Sequence, residues 1–153
     1  MDIYFLDSSA LIKRYVTETG SAWIIKLMEP PSDNRIFIAR ITAVEVVSAI
    51  KRRERSGNLN SLDAIASLTR FRQELTSNYR LVDISAKLIT RAMNLAESHA
   101  LRGYDAIQLA AALEIYDQSQ SVGSSTPKLV CADLALNIAA VAEGLSVDDP
   151  NSH

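Results

Sequence analysis

Four short apolar runs, IYFL (3–6), RIFIA (35–39), YRLVDI (79–84) and KLVCA (128–132), are separated by stretches in which apolar residues recur every three or four positions. A continuous apolar run of this length suits a strand covered on both faces, and helical spacing between strands supplies the crossovers that a parallel sheet needs. Leu11, Ile12, Tyr15 and Val16 mark one helix up to Gly20, and Ser21 can cap a second that ends before Pro30-Pro31. Thr42 opens a helix through about Arg55, SGNLN breaks the chain, and Leu62, Ile65, Leu68, Phe71 and Leu75 mark the next. Leu88, Ala92, Leu95 and Ala96 share a further helical face. DAIQLAAALEIY, beginning near Asp105, is apolar on most sides and so belongs in the interior. DQSQSVGSSTP (117–127) reads as a loop, DLALNIAAVAEG as a helix stopped by Gly144, and LSV (145–147) as a short last strand.

The expected fold is α/β: a three-layer sandwich with a mostly parallel sheet of four to five strands flanked by helices. A length of 153 residues with 48% hydrophobic residues suits one domain, placed at residues 1–148, with 149–153 expected as a disordered tail. The formal charge of −2 argues against a general nucleic-acid coat, yet it permits a nuclease whose acidic site masks basic residues elsewhere. The single Cys131 rules out an internal disulfide and reads as a buried small apolar residue. A reducing cytoplasm fits this usage, and no apolar run approaches the roughly 18 residues that span a bilayer.

In a parallel sheet the carboxyl ends of the strands lie along one edge, where open α/β folds build their sites. Asp7 follows the first strand, Glu45 lies in the first turn after the second, Asp105 starts the interior helix and Asp133 follows the fourth strand. For any one of these acids, taken alone, a helix N-cap is the commoner role. Thr42-Ala-Val-Glu45 even matches a capping box. Convergence changes the balance: two carboxylates about 4 Å apart repel by roughly 4 kcal/mol at an effective dielectric near 20, so a cluster takes up protons or cations. Oxygen ligands favour Mg²⁺ or Mn²⁺, and His99 and His153 lack metal-ligand spacing. No Ser-His or Cys-His arrangement offers a covalent route.

Lys51, Arg52, Arg53 and Arg55 form the obvious basic cluster, but they lie roughly 9 to 15 Å along their helix from Glu45. They read first as a solvated helix end, where cations suit the dipole. Arg40, just past a strand, and Arg102, in the loop before Asp105, are the better candidates for phosphate contacts.

YFLDSSALIKRYVTETGS, ITAVEVVSAIKR, LRGYDAIQLAAAL and LVCADLALNIAAVAEGLSV resemble, in order and spacing, the PIN-domain ribonucleases, and most closely the VapC-type toxins of toxin–antitoxin pairs. The resemblance runs from Met1 to about Val147. It implies that Asp7, Glu45, Asp105 and Asp133 surround one or two divalent cations, with Asp7 and Asp105 as principal ligands and Ser8 supporting the site. It implies endonucleolytic cleavage of RNA, an antitoxin that silences the enzyme, and a homodimer. Ser8, Arg40 and Arg102 would then contact substrate. Gln108 stands where many relatives have His, and the loop from Asp117 to Pro127 is long for the family. The alternative is a catalytically silent PIN-like module that binds protein partners. A phosphoacceptor receiver domain fits poorly, because Ser8-Ser9 follow Asp7 where that design needs a second acid.

Overall fold

A computed structural model describes residues 1–153. Strands β1 (Ile3–Leu6), β2 (Arg35–Ala39), β3 (Arg80–Val82), β4 (Lys128–Val130) and β5 (Ser146–Asp148) alternate with helices. These are α1 (Ser8–Tyr15), α2 (Ser21–Met28), α3 (Thr42–Arg55), α4 (Ser61–Ser77), α5 (Ala86–His99), α6 (Gly103–Ser121) and α7 (Leu134–Ala142). The sheet has the order β3-β2-β1-β4-β5 and every pairing is parallel. The chain builds outward from β1 to β3, then returns to the other side of β1. The switch between β1 and β4 opens a crevice at their carboxyl ends, immediately before Asp7.

Period-two alternation along β1 divides the molecule into two cores. Ile3 and Phe5 face α5, α6 and α7, packing with Leu88, Leu109 and Leu136. Leu6 faces the opposite layer, with Leu11, Ile24, Val46 and Phe71 from α1 to α4. The sheet is thus the middle of three layers. Helix α6 is buried along most of its length, and its run Ala110–Ala112 lets neighbouring backbones approach closely.

Three local expectations are corrected. Residues 149–153 are not a loose tail: Pro150–Ser152 form a short 3-10 helix, and Pro150 is buried. The buried Lys13 ammonium donates to Asn151 Oδ1 (2.9 Å), Glu18 Oε1 (3.0 Å) and the Thr19 carbonyl (2.7 Å), while the His153 ring stacks on Trp23. Gly20 makes this docking possible, because its φ is +87° and an added Cβ would collide with the Pro150 carbonyl. Polar contacts order the segment, so no apolar pattern announces it. The loop after α6 is also shorter than expected. Asp117–Ser121 continue the helix, since nothing breaks it before Gly123, and the hydroxyls of Ser119 and Ser121 bond back to the carbonyls of Ile115 and Gln118. Ser21 does not cap α2; Gly20 holds that position, and the Ser21 hydroxyl accepts from the Glu18 amide and donates to the Val16 carbonyl.

Candidate active site

Asp7 is the residue at which β1 becomes α1. Its amide donates to the Val130 carbonyl (3.2 Å), extending the pairing with β4. Oδ1 accepts from the Ala10 amide (3.1 Å) and the Ser9 hydroxyl (2.7 Å), and Oδ2 accepts from the Cys131 thiol (3.1 Å). Only 3% of the residue is exposed. Burial pushes its pKa up to about 6 against these hydrogen bonds, and the Glu45 charge pushes the same way. Cys131 is buried as expected, but it is also a donor. Burial and the adjacent Asp7 raise its pKa far above the usual thiol value, so it remains a neutral S–H.

Glu45 lies in the first turn of α3, and the capping-box reading fails there. Residue Ile41 occupies the cap position without a side-chain bond. Thr42 Oγ1 instead receives the Gln108 amide (2.8 Å), and the same Nε2 donates to Glu45 Oε1 (2.8 Å). The Ser8 hydroxyl donates to the other oxygen, Oε2 (3.1 Å). Gln108 is fully buried, and its own carbonyl oxygen has no partner in the protein. Burial raises the Glu45 pKa, and Asp105 adds to the rise.

Asp105 lies in the first turn of α6, a helix that begins at Gly103, two residues earlier than its sequence pattern suggests. Its carboxylate caps nothing. Burial and the Asp133 charge raise its pKa, and Arg102 opposes them. Asp133 caps α7, with Oδ1 accepting from the Leu136 amide (2.9 Å), while its own amide meets the Cys131 sulfur (3.2 Å). Repulsion therefore links Asp7 to Glu45, Glu45 to Asp105 and Asp105 to Asp133. No three of these side chains close into a chelating cage. The donor set still fits a hard divalent cation: it is all oxygen, its charges repel, and Mg²⁺ keeps several of its own waters rather than demanding a full protein shell.

Ser8 is at the site. Arg102 is exposed and acts on Asp105 through its charge. Arg40 is engaged by Asp83 at the end of β3 rather than by the acids. The basic cluster of α3 divides unexpectedly: Lys51 pairs with Glu54 and Arg53 with Glu18, while Arg52 forms no ion pair and lines a groove with Glu45. The signal was available, since Glu45 and Arg52 are seven residues apart and so share one helix face. Tyr104, the other overlooked residue, lines the same groove beside Ser8 and Ser9.

The PIN-domain profile matches residues 4–117, about three-quarters of the sequence, and the chain belongs to the PIN-domain family. Ribonuclease VapC45 of Mycobacterium tuberculosis (strain CDC 1551 / Oshkosh) is 32% identical over 149 residues, covering 96% of this chain and 95% of its own length. PAE2754 from Pyrobaculum aerophilum shares the fold, with a TM-score of 0.63, 20% identity, and coverage of 99% of this chain and 91% of that one. A chain of a toxin–antitoxin complex from Klebsiella pneumoniae does so too, with a TM-score of 0.60, 20% identity, and coverage of 96% and 97%.

Proposed function

We propose that this protein is a divalent-metal-dependent endoribonuclease and the toxin of a toxin–antitoxin pair, working with Mg²⁺ or Mn²⁺. The observation that carries this reading is the meeting of Asp7, Glu45, Asp105 and Asp133, from four separate elements, in one line of mutual repulsion. Family membership and the 32% identity to a protein named a ribonuclease support it.

Asp7 and Asp105 would hold the ion, with Glu45 and Asp133 completing the site directly or through water. When bound, a divalent ion offsets phosphate charge and acidifies water. The protein's own part is positioning. Ser9, Cys131 and the Ala10 amide fix both oxygens of Asp7, and Ser8 and Gln108 fix both oxygens of Glu45. Glu45 or Asp133 would orient the attacking water. Arg102 is the favoured phosphate contact; Arg40 would first have to leave Asp83. The reading includes a cognate antitoxin, a homodimer and a cytoplasmic setting. No helix is long and apolar enough to cross a membrane.

The test is cleavage of total bacterial RNA by partner-free protein with Mg²⁺ or Mn²⁺, with EDTA and Asp105→Asn as controls. Discrete fragments absent from both controls are the expected result. Absence of both metal binding and cleavage would favour the silent protein-binding module.

A further inference from the structure

A cleft between the start of α5 and the second half of α6 holds charges that play no part among the four acids. It encloses about 260 Å³. Glu114, on its wall, lies nine residues along α6 from Asp105, a rise of about 14 Å, so the cleft is separate from the carboxylate site. The extra turn of α6 completes it: Asp117, expected in a loop, stands on the helix and lines the cleft.

The two walls carry opposite charge. Helix α5 contributes Lys87 and Arg91, four residues apart and so on one face, and α6 contributes Glu114 and Asp117, three apart. One pair closes across the cleft, with Arg91 Nη1 donating to Asp117 Oδ2 at 2.7 Å. The other does not close. Lys87 is exposed, Glu114 is half-buried, and neither has an ion-pair partner although both line the same cleft. Between the walls lie Leu88, which is buried, and Ala110, whose short side chain leaves the space open.

We infer that this cleft binds a free α-amino acid, whose carboxylate meets Lys87, whose ammonium meets Glu114, and whose side chain lies over Leu88 and Ala110. A ligand of one sign meets repulsion here. An anion that reaches Lys87 also faces Glu114 and Asp117, and a cation that reaches Glu114 also faces Lys87 and Arg91. A molecule carrying both charges a few bonds apart satisfies both walls with charge-assisted hydrogen bonds. The volume sets the size of the ligand, since it falls below the roughly 300 Å³ at which pockets for drug-sized molecules begin. The apolar surface of Leu88 and Ala110 favours a short aliphatic side chain, because a further polar group there would lose its water without gaining a partner. No residue of the cleft belongs to the carboxylate site, so this binding is independent of the ribonuclease reading.

The test uses the whole chain without RNA or partner. Backbone amide shifts of isotope-labelled protein are titrated with L-alanine, L-valine and L-leucine. Two fragments of L-leucine serve as controls: isopentylamine, which lacks the carboxylate, and isocaproate, which lacks the ammonium. At least one of the amino acids should saturate and move the amides around Lys87 and Glu114, and each fragment should bind about tenfold or more weakly than L-leucine, the loss of one hydrogen bond to a charged group. Lys87→Ala and Glu114→Gln should each weaken amino-acid binding by about 10- to 150-fold on the same scale. Lys26→Ala removes an exposed cation on α2, outside the cleft, and should leave binding unchanged. Isocaproate binding as tightly as L-leucine would make the cleft an anion site and overturn the inference. Binding that both cleft variants retain would move the ligand elsewhere and overturn it as well. Absence of shifts in the cleft with all three amino acids at their solubility limits would leave Lys87 and Glu114 as solvated side chains, and the inference fails.

Discussion

Asp7 and Asp133 stand where a helix cap stands, and both cap, accepting the Ala10 and Leu136 amides. Glu45 and Asp105 lie inside the first turns of α3 and α6 and cap nothing. Helix geometry needs only an acceptor oxygen at the first pair, a need that Asn or Ser meets equally well. It needs no side chain at all at the second pair. A negative charge in the first turn gains something from the helix dipole, but that gain is available at an exposed position without the burial and repulsion that raise both pKa values here. The difference separates two kinds of acid at one sheet edge: those for which capping and chemistry coincide, and those whose charge the fold does not use.

Asp105→Asn tests the second kind most severely. Cleavage should fall by about two to three orders of magnitude, the scale of losing one preorganised electrostatic group. The unfolding midpoint in EDTA should stay level or rise, because the repulsion from Asp133 is removed and no hydrogen bond is lost. A fall in stability of the size seen when a cap is removed would place Asp105 with the structural acids, contrary to this comparison.

The next effect in size is a pH dependence that belongs to Asp7. Its pKa is about 6 in the folded protein and about 3.9 in an unfolded chain. Between those values the folded state binds more protons, so stability falls as pH rises through the window and levels off above it. The span corresponds to roughly 3 kcal/mol for this one group, with Glu45 and Asp105 shifted in the same direction. Urea midpoints measured in EDTA at pH 4.5 and 7 should show the loss in the wild type and a much flatter profile in Asp7→Asn. Equal slopes for the two proteins would mean that Asp7 titrates like an exposed carboxylate and that its enclosure by Ser9 and Cys131 has no electrostatic effect.

The layers were legible in the sequence because each rests on periodicity. IYFL, RIFIA and KLVCA lie on β1, β2 and β4, and the amphipathic stripes gave their helices. Strand position also placed Asp7 and Asp133 at the carboxyl ends of β1 and β4, one and three residues after the strands. What the pattern left out depends on contacts between distant residues. Gln108 joins Thr42 to Glu45 across 63 or more positions, and Cys131 reaches Asp7 across 124. No local rule marks either as a donor to a carboxylate. Thr42 and Glu45 had the spacing of a capping box, but Gln108 and Ser8 outcompete the backbone for them. The C-terminal segment carries no local signal for a related reason: Lys13, Gly20 and Trp23 order it from far upstream.

Asp133 gives the smallest effect and the sharpest division between the two roles, because a short polar residue can replace one without the other. Asp133→Ala removes the oxygen that accepts the Leu136 amide and should destabilise the protein by about 1 kcal/mol. Asp133→Ser supplies a hydroxyl at the same cap and should recover most of that loss, while relief of the repulsion on Asp105 is common to both variants and leaves their difference to the cap alone. If the carboxylate of Asp133 also serves the site, cleavage by Asp133→Ser should remain as low as in Asp133→Ala although its stability is restored. Thermal unfolding and cleavage rates measured on the same pair decide the point. Parallel recovery of stability and cleavage in Asp133→Ser would reduce Asp133 to a cap, leaving Asp7, Glu45 and Asp105 to hold the ion.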